Sequence, residues 1–295
     1  MSSLYPKSVE VEKEQLIELA RFFTKSKSRI LSEVTTATSF GVKNRKAIIK
    51  QIDQILLELG KDIQGFLDKN VPPFYKDGAD HAVRQLKNVG VKLRVTKNFN
   101  QLHKDSIVAL IDSTFASYAE AITGVKRSAN RLLDVAKQEL VQQEIAHGVV
   151  TGDALRTVRR NIKGLLVEDG LPALIDKAGR KWELDRYSEM LFRTKTSEAR
   201  NLGLANRMVE NGYDLVQVSS HGATDVCGPW EGKILSVTGD NKKYPSVAEA
   251  TEAGLFHPNC RHVINTLIPS VAKKTRAYDP NSGQLIKKSG ESLKR

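Results

Sequence analysis

The 295-residue sequence holds only two cysteines, Cys227 and Cys260, and only 6% of its residues are aromatic. Two thiols are too few for a disulfide framework, so reduced, buried thiols are the default reading, with a Cys227 to Cys260 disulfide or a metal site as alternatives. Sparse aromatics disfavour a single-strand nucleic-acid binder that stacks bases on rings. No apolar run approaches the ~18 residues needed to cross a bilayer. The opening MSSLYPKSVEVEKEQ also lacks the apolar segment of a secretory signal, so no membrane partner is expected and a reducing cytoplasm is the expected place of synthesis. Neither a G-x-x-x-x-G-K-[ST] phosphate loop nor a G-x-G-x-x-G run occurs, and no nucleophile elbow or paired-carboxylate pattern is present.

What is abundant is positive charge. The formal net charge is +12 and the pI is near 9.6. A chain of this kind gains from meeting a polyanion, because each neutralised phosphate releases counterions. Lys and Arg are spread along the chain rather than gathered in a stripe. The expected contact is therefore with the backbone of double-stranded DNA, without sequence reading.

With 40% apolar residues the chain can bury a core in one large or two ordinary domains. The first 170 residues read as helices. Leu16, Leu19, Phe22, Phe23, Ile30 and Leu31 space a helix from Val11 to about Val34. Ile48, Ile52, Ile55, Leu56, Leu59, Ile63, Phe66 and Leu67 stripe a second, from Asn44 to Asp68. Val71-Pro72-Pro73 is expected to end that helix, with another from about Pro73 to Asn88 stopped at Gly90. A further block starts near His103, with a break expected at Gly124, and continues to Ile145. Thr151-Gly-Asp153 reads as a helix start. Such faces usually pack on one another, and docking of one face on a partner is the alternative.

From Leu171 the pattern changes. Ala173 to Leu184 reads as a hairpin, Asp185 to Glu210 as a helix closed by Asn211-Gly212, and Tyr213 to Ser219, Lys233 to Val237 and Arg261 to Ile268 as strands. Ser246 is placed to cap a short helix. Trp182, Trp230 and Tyr244 read as core anchors. Residues 270–295 carry seven Lys or Arg against Asp279 and Glu291, the composition of a flexible basic tail. The expected fold class is α+β: a mostly helical region over residues 1–170, a small α+β domain with short strands over 171–269, and that tail.

Between Ser219 and Ile268 lie both cysteines and three of the six histidines, His221, His257 and His262, among closely set glycines and prolines. An extended Cys260 to Ile268 would put Cys260 and His262 on one face, since strand side chains alternate. His221 and Cys227 on the glycine-rich loop could complete a tetrahedral zinc site, with His257 as substitute. No cofactor other than such a structural zinc is expected. A catalytic reading would use Cys227 or a histidine, oriented by Asp225 or Glu231. Asp225 reads equally well as a turn residue, and Glu231 as a solvated side chain beside Lys233.

These residues carry a resemblance. Gly179-Arg-Lys-Trp182 with Tyr187-Ser-Glu-Met190, Arg193-Thr-Lys-Thr196, Val218-Ser-Ser-His221-Gly, Cys227-Gly-Pro-Trp230-Glu-Gly-Lys233, Lys243-Tyr-Pro245 and Gly254-Leu-Phe-His257-Pro-Asn-Cys260-Arg-His262 together resemble phage minor capsid proteins, within the broader phage Mu F-like head morphogenesis group. The resemblance covers roughly Leu171 to Pro269, and the helical first half shares only general character. It implies a non-enzymatic virion component, made in the bacterial host cytoplasm and present in few copies. It would lie inside the head near the portal, with the portal and major capsid protein as partners, and act in head assembly or in DNA packaging or delivery.

Some Mu F-like proteins carry toxin domains after this region; with 26 residues following Pro269 in this sequence, no such enzyme domain is expected in them. Where many relatives have a second cysteine after the first and end in HPNCRC, this sequence has Trp230 and His262. That excludes a four-cysteine site and leaves a mixed Cys/His one. The alternative function is a zinc-dependent nucleic-acid-processing or toxin-like enzyme.

Overall fold

The computed structural model describes residues 6–39, 45–94, 99–133, 157, 160, 173–175 and 181–269. The expected helix start at Thr151, the continuation to Ile145, the Trp182 side chain and the basic tail lie outside the described residues. In chain order the elements are α1 (Pro6–Ser39), α2 (Arg45–Asn88), α3 (Gln101–Leu132), β1 (Ala173–Ile175), β2 (Lys181–Glu183), α4 (Leu184–Glu210), β3 (Leu215–Val218), a 3-10 turn (Gly228–Trp230), β4 (Ile234–Ser236), α5 (Val247–Glu252) and β5 (Ile264–Thr266). The fold is α+β, with long helices first and a small antiparallel sheet after them.

Two compact units divide the chain, each made of two stretches: Met1–Asp68 with Asp112–Phe192, and Lys69–Ile111 with Arg193–Arg295. The first unit packs helix on helix. Leu19, Phe23, Ile30 and Val34 of α1, Ile52, Leu59, Ile63 and Leu67 of α2, and Tyr118, Ala121 and Val125 of α3 are buried. Their three-to-four spacing is what turns one face of each helix inward. Aromatic edges lock the layer: Phe22 meets Phe66 edge-on at 6.2 Å, and Phe66 lies 5.2 Å from Phe192. The buried Tyr118 hydroxyl donates to the Ser188 carbonyl at 3.0 Å, so its polar end is satisfied. Arg29 pairs with Glu58, and Lys126 with Asp53, on the wetter side. β1 and β2 pair antiparallel, Leu174 opposite Trp182, as the expected hairpin.

The two prolines do not end α2. It continues through Pro72 and Pro73 to Asn88. Each proline removes a backbone donor and crowds the preceding turn, at about 3 kcal/mol in a helix interior. The residues around them bury enough to offset this: Val71, Phe74, Tyr75, Ala79, Ala82 and Leu86 are all at most 3% exposed. A buried Val, Leu or Phe contributes roughly 1.5–3 kcal/mol. Gly124 likewise fails to interrupt α3.

In the second unit α2 and α4 touch backbone to backbone. A methyl at Gly78 would lie 1.9 Å from the Arg200 carbonyl oxygen, and one at Gly203 would lie 2.0 Å from that of Tyr75. Only glycine permits this approach. Beside the crossing a polar network is sealed in. The His103 ring, fully buried, is 2.9 Å from the Tyr75 hydroxyl through Nδ1 and 3.1 Å from Glu210 through Nε2. Asn206 donates to Tyr75, and Arg207 pairs with Glu210.

The sheet has the order β4-β3-β5, all antiparallel, with Val216 opposite both Leu235 and Thr266. Val216, Val218, Leu235 and Ile264 face a core shared with Leu86, Leu204 and Met208, while Leu215, Ile234 and Leu267 gather on the opposite face around Tyr244. α4 closes as expected, with Gly212 at φ +82°. α5 starts in a full capping box of Ser246 and Glu249.

Candidate functional site

The site lies where the loop after β3 meets the segment joining α5 to β5, both in the second unit. Asp225 opens the 3-10 turn by accepting from the Cys227 amide at 2.9 Å, and Gly228 packs too tightly against the Ala223 carbonyl to carry a side chain. On the other segment Phe256 and Asn259 adopt φ of +64° and +66°. Left-handed backbone is unfavourable for a bulky residue such as Phe256. Its ring is held by packing against the core, and these two turns frame His257 and Cys260.

Glu231 is the hub. Its carboxylate accepts from the amides of His221, Gly222 and Ala223 at 2.8, 3.1 and 3.0 Å, from the Ser220 hydroxyl at 3.0 Å, and faces His262 Nε2 at 3.1 Å. Burial pushes this carboxyl up, but the His221 and Ala223 amides, the His262 ring and the Ser220 hydroxyl outweigh it, and its pKa falls to about 2. The expectation of a solvated Glu231 is therefore corrected: the side chain is 14% exposed and closes the loop on itself. Three successive amides turned to one point by Gly222 at φ +80° make an anion nest, a backbone feature with no residue-type signature beyond that glycine.

The two sulfurs lie 3.3 Å apart, as free thiols, and Cys227 is fully buried. Burial, then the neighbouring Cys260, push the Cys227 thiol up to about 11, so it stays protonated at neutral pH. Cys260 Sγ is 3.2 Å from His262 Nδ1, although the strand begins only at Ile264. His257 points Nε2 at Asp225, 3.1 Å away, and Nδ1 at the Pro258 carbonyl, 2.8 Å away. The His221 ring lies tilted by 32° against that of His262, ring centres 4.2 Å apart, and its Nδ1 is 3.8 Å from Glu231.

Among the described residues the potential metal donors thus fall into two groups, Cys227 with His257 and Cys260, and His221 with Glu231 and His262. The structure brings Cys227, Cys260 and His262 together in sequence of contact. It sets His221 against Glu231 and puts His257 beside the sulfurs.

A groove of about 270 Å³ runs past His257 and Cys260, lined by Phe256, Val247, Leu202 and Ala205. Trp230 is half-buried against the core with the Lys233 ammonium 4.7 Å from its ring centre. Apart from this mostly apolar groove, the geometry can hold a loop, hold a soft metal, or place imidazoles beside the Asp225 and Glu231 carboxylates.

Residues 41–287 match the family described as Phage minor capsid protein 2. The match takes in most of the helical half, so the family character is not confined to Leu171 to Pro269. A protein named "Structural protein" from Lactococcus phage LL-H is 32% identical over 124 residues, covering 38% of this chain and 33% of that protein. The chain therefore spans about a third of the length of that relative. No solved structure gives a significant match. No described helix is long and apolar enough to cross a membrane. The chain belongs to the phage minor capsid protein 2 family and is a structural component of the virion.

Proposed function

We propose that this minor capsid protein lies inside the head near the portal, contacts portal and major capsid protein, and assists head assembly and the packaging or delivery of DNA, without transforming a substrate. The observation that carries the non-catalytic reading is Glu231. The best-placed carboxylate of the site is engaged by four loop donors and one imidazole, and held ionised by them. A general base needs a free lone pair and a pKa nearer the working pH. A net charge of +12 suits non-specific contact with packaged DNA.

The test is cross-linking in assembling heads, followed by particle counts when the chain is absent. Cross-links to the portal and a loss of DNA-filled heads are expected. Cross-links confined to outer-surface proteins, with full heads formed normally, would refute the placement.

One observation favours the zinc-dependent enzyme reading: His257 and Asp225 form an imidazole-carboxylate pair at the edge of the groove. A nuclease assay on wild type and His257→Ala decides it. Metal-dependent cleavage lost in the variant supports the enzyme, and equal absence of cleavage in both supports the structural role.

A further inference from the structure

We propose that Cys227, Cys260, His257 and His262 together hold a structural zinc ion. The donor set is the soft thiolate and imidazole mixture that zinc favours in closed, four-coordinate sites. In a tetrahedral site with Zn–S near 2.3 Å and Zn–N near 2.0 Å, two sulfurs sit about 3.8 Å apart and a sulfur and a nitrogen about 3.5 Å apart. Here the sulfurs are 3.3 Å apart and Cys260 Sγ is 3.2 Å from His262 Nδ1. Cys227, His257 and Cys260 present one donor atom each within a common 4.8 Å. His262 falls in the other donor group and reaches this one through Cys260, so completing the set requires its ring to swing toward Cys227 and His257, together with release of one of the two present hydrogen bonds of His257.

The surroundings of His262 supply an independent reason. Its Nε2 faces the Glu231 carboxylate at 3.1 Å. An imidazole that donates Nε2–H to a carboxylate keeps a lone pair on Nδ1, and Nδ1 is the nitrogen turned toward Cys260. Zinc-bound histidines are oriented by such a carboxylate partner. Glu231 is in turn fixed by the 220–223 loop, so ring, sulfurs and loop form one assembly. His221 stays outside: its ring packs at a tilt against His262 and it approaches Glu231. The proposal is independent of where in the particle the chain sits.

The test uses the full chain, purified under reducing conditions. One zinc per chain is expected by elemental analysis. Replacement with Co²⁺ should give a thiolate-to-metal charge-transfer band and the strong visible absorption of a tetrahedral site. His221→Ala should keep the full equivalent, whereas Cys260→Ser and His257→Ala should lose it or bind roughly tenfold or more weakly. Should these variants not fold, X-ray absorption on the wild-type zinc protein replaces them, and two sulfur and two nitrogen neighbours are expected. The proposal is overturned by absence of zinc with no cobalt spectrum, by a metal shell without sulfur, or by a Cys227 to Cys260 disulfide in the reduced preparation. Loss of metal in His221→Ala with retention in His257→Ala would equally reject this ligand set.

Discussion

Gly203→Ala places a methyl carbon 2.0 Å from the Tyr75 carbonyl oxygen, 2.9 Å from its carbonyl carbon and 3.2 Å from the Ala79 amide nitrogen. The first contact is about 1 Å inside the closest approach such atoms make, and all three atoms are backbone, so no side chain can swing away. Relief requires α2 and α4 to separate where Tyr75, Ala79 and Leu204 are at 0% exposure. Overpacking of this kind costs about 1–3 kcal/mol, occasionally more. Alanine returns up to about 1 kcal/mol of helix propensity. Because the clash is with unyielding backbone the cost is taken at its upper end, so a net loss of about 2 kcal/mol is expected, which at a urea m-value of roughly 1–3 kcal/mol/M lowers the midpoint by about 0.7–2 M.

Gly65→Ala is the control, because it lies in α2 with nothing within 4 Å of the added methyl. It should keep or raise stability by up to about 1 kcal/mol. The assay is equilibrium urea unfolding of both variants, followed by helical circular dichroism. Equal stabilisation by the two substitutions would refute the backbone contact between α2 and α4.

Other outcomes follow from the same physics. Tyr118→Phe removes the donor to the Ser188 carbonyl in a buried place and should cost about 1–2 kcal/mol by urea unfolding. Burial lowers the pKa of His103 more than the Glu210 contact raises it, with Arg207 lowering it further. A histidine whose folded pKa lies below its unfolded value of 6.5 loses stability as pH falls below that value toward the folded pKa, and none above it. Thermal melts from pH 7.5 down to pH 5 should therefore fall more steeply for wild type than for His103→Gln, about the neutral-pH value of each. Burial pushes Asp214 up, but donors from Ser236, Thr238 and Val237 outweigh it and lower its pKa. Its contribution is present above the unfolded value of 3.8 and disappears as pH falls through the folded one. Asp214→Asn should flatten the acid limb of the unfolding curve.

Much of this was legible because local chemistry and tertiary packing agree. The stripe from Ile52 to Leu67, the Asn211-Gly212 stop, the Ser246 cap and the alternation around Val216 each name an element that the fold contains. Pro72 and Pro73 misled because local propensity said stop, while Val71, Phe74 and Tyr75 bury enough surface to carry the helix on. In the site, clustering of cysteines and histidines was readable from composition. Which imidazole meets which sulfur was not, because it depends on two loops converging from 30 residues apart. Glu231 was missed as the hub, since its partners are backbone amides that every residue has. The Gly78 and Gly203 contact and the His103, Glu210 and Tyr75 network were missed for the same reason: both depend on pairings between helices, which periodicity within one helix does not encode.

The central claim is that this chain is a minor structural part of the particle. Quantitative mass spectrometry of purified, nuclease-treated virions tests it most directly, with the chain counted against the major capsid protein in intact and opened heads. A few copies per particle are expected, resistant to added protease until the head is opened. Absence from the virion, or digestion by protease in intact heads, would contradict it.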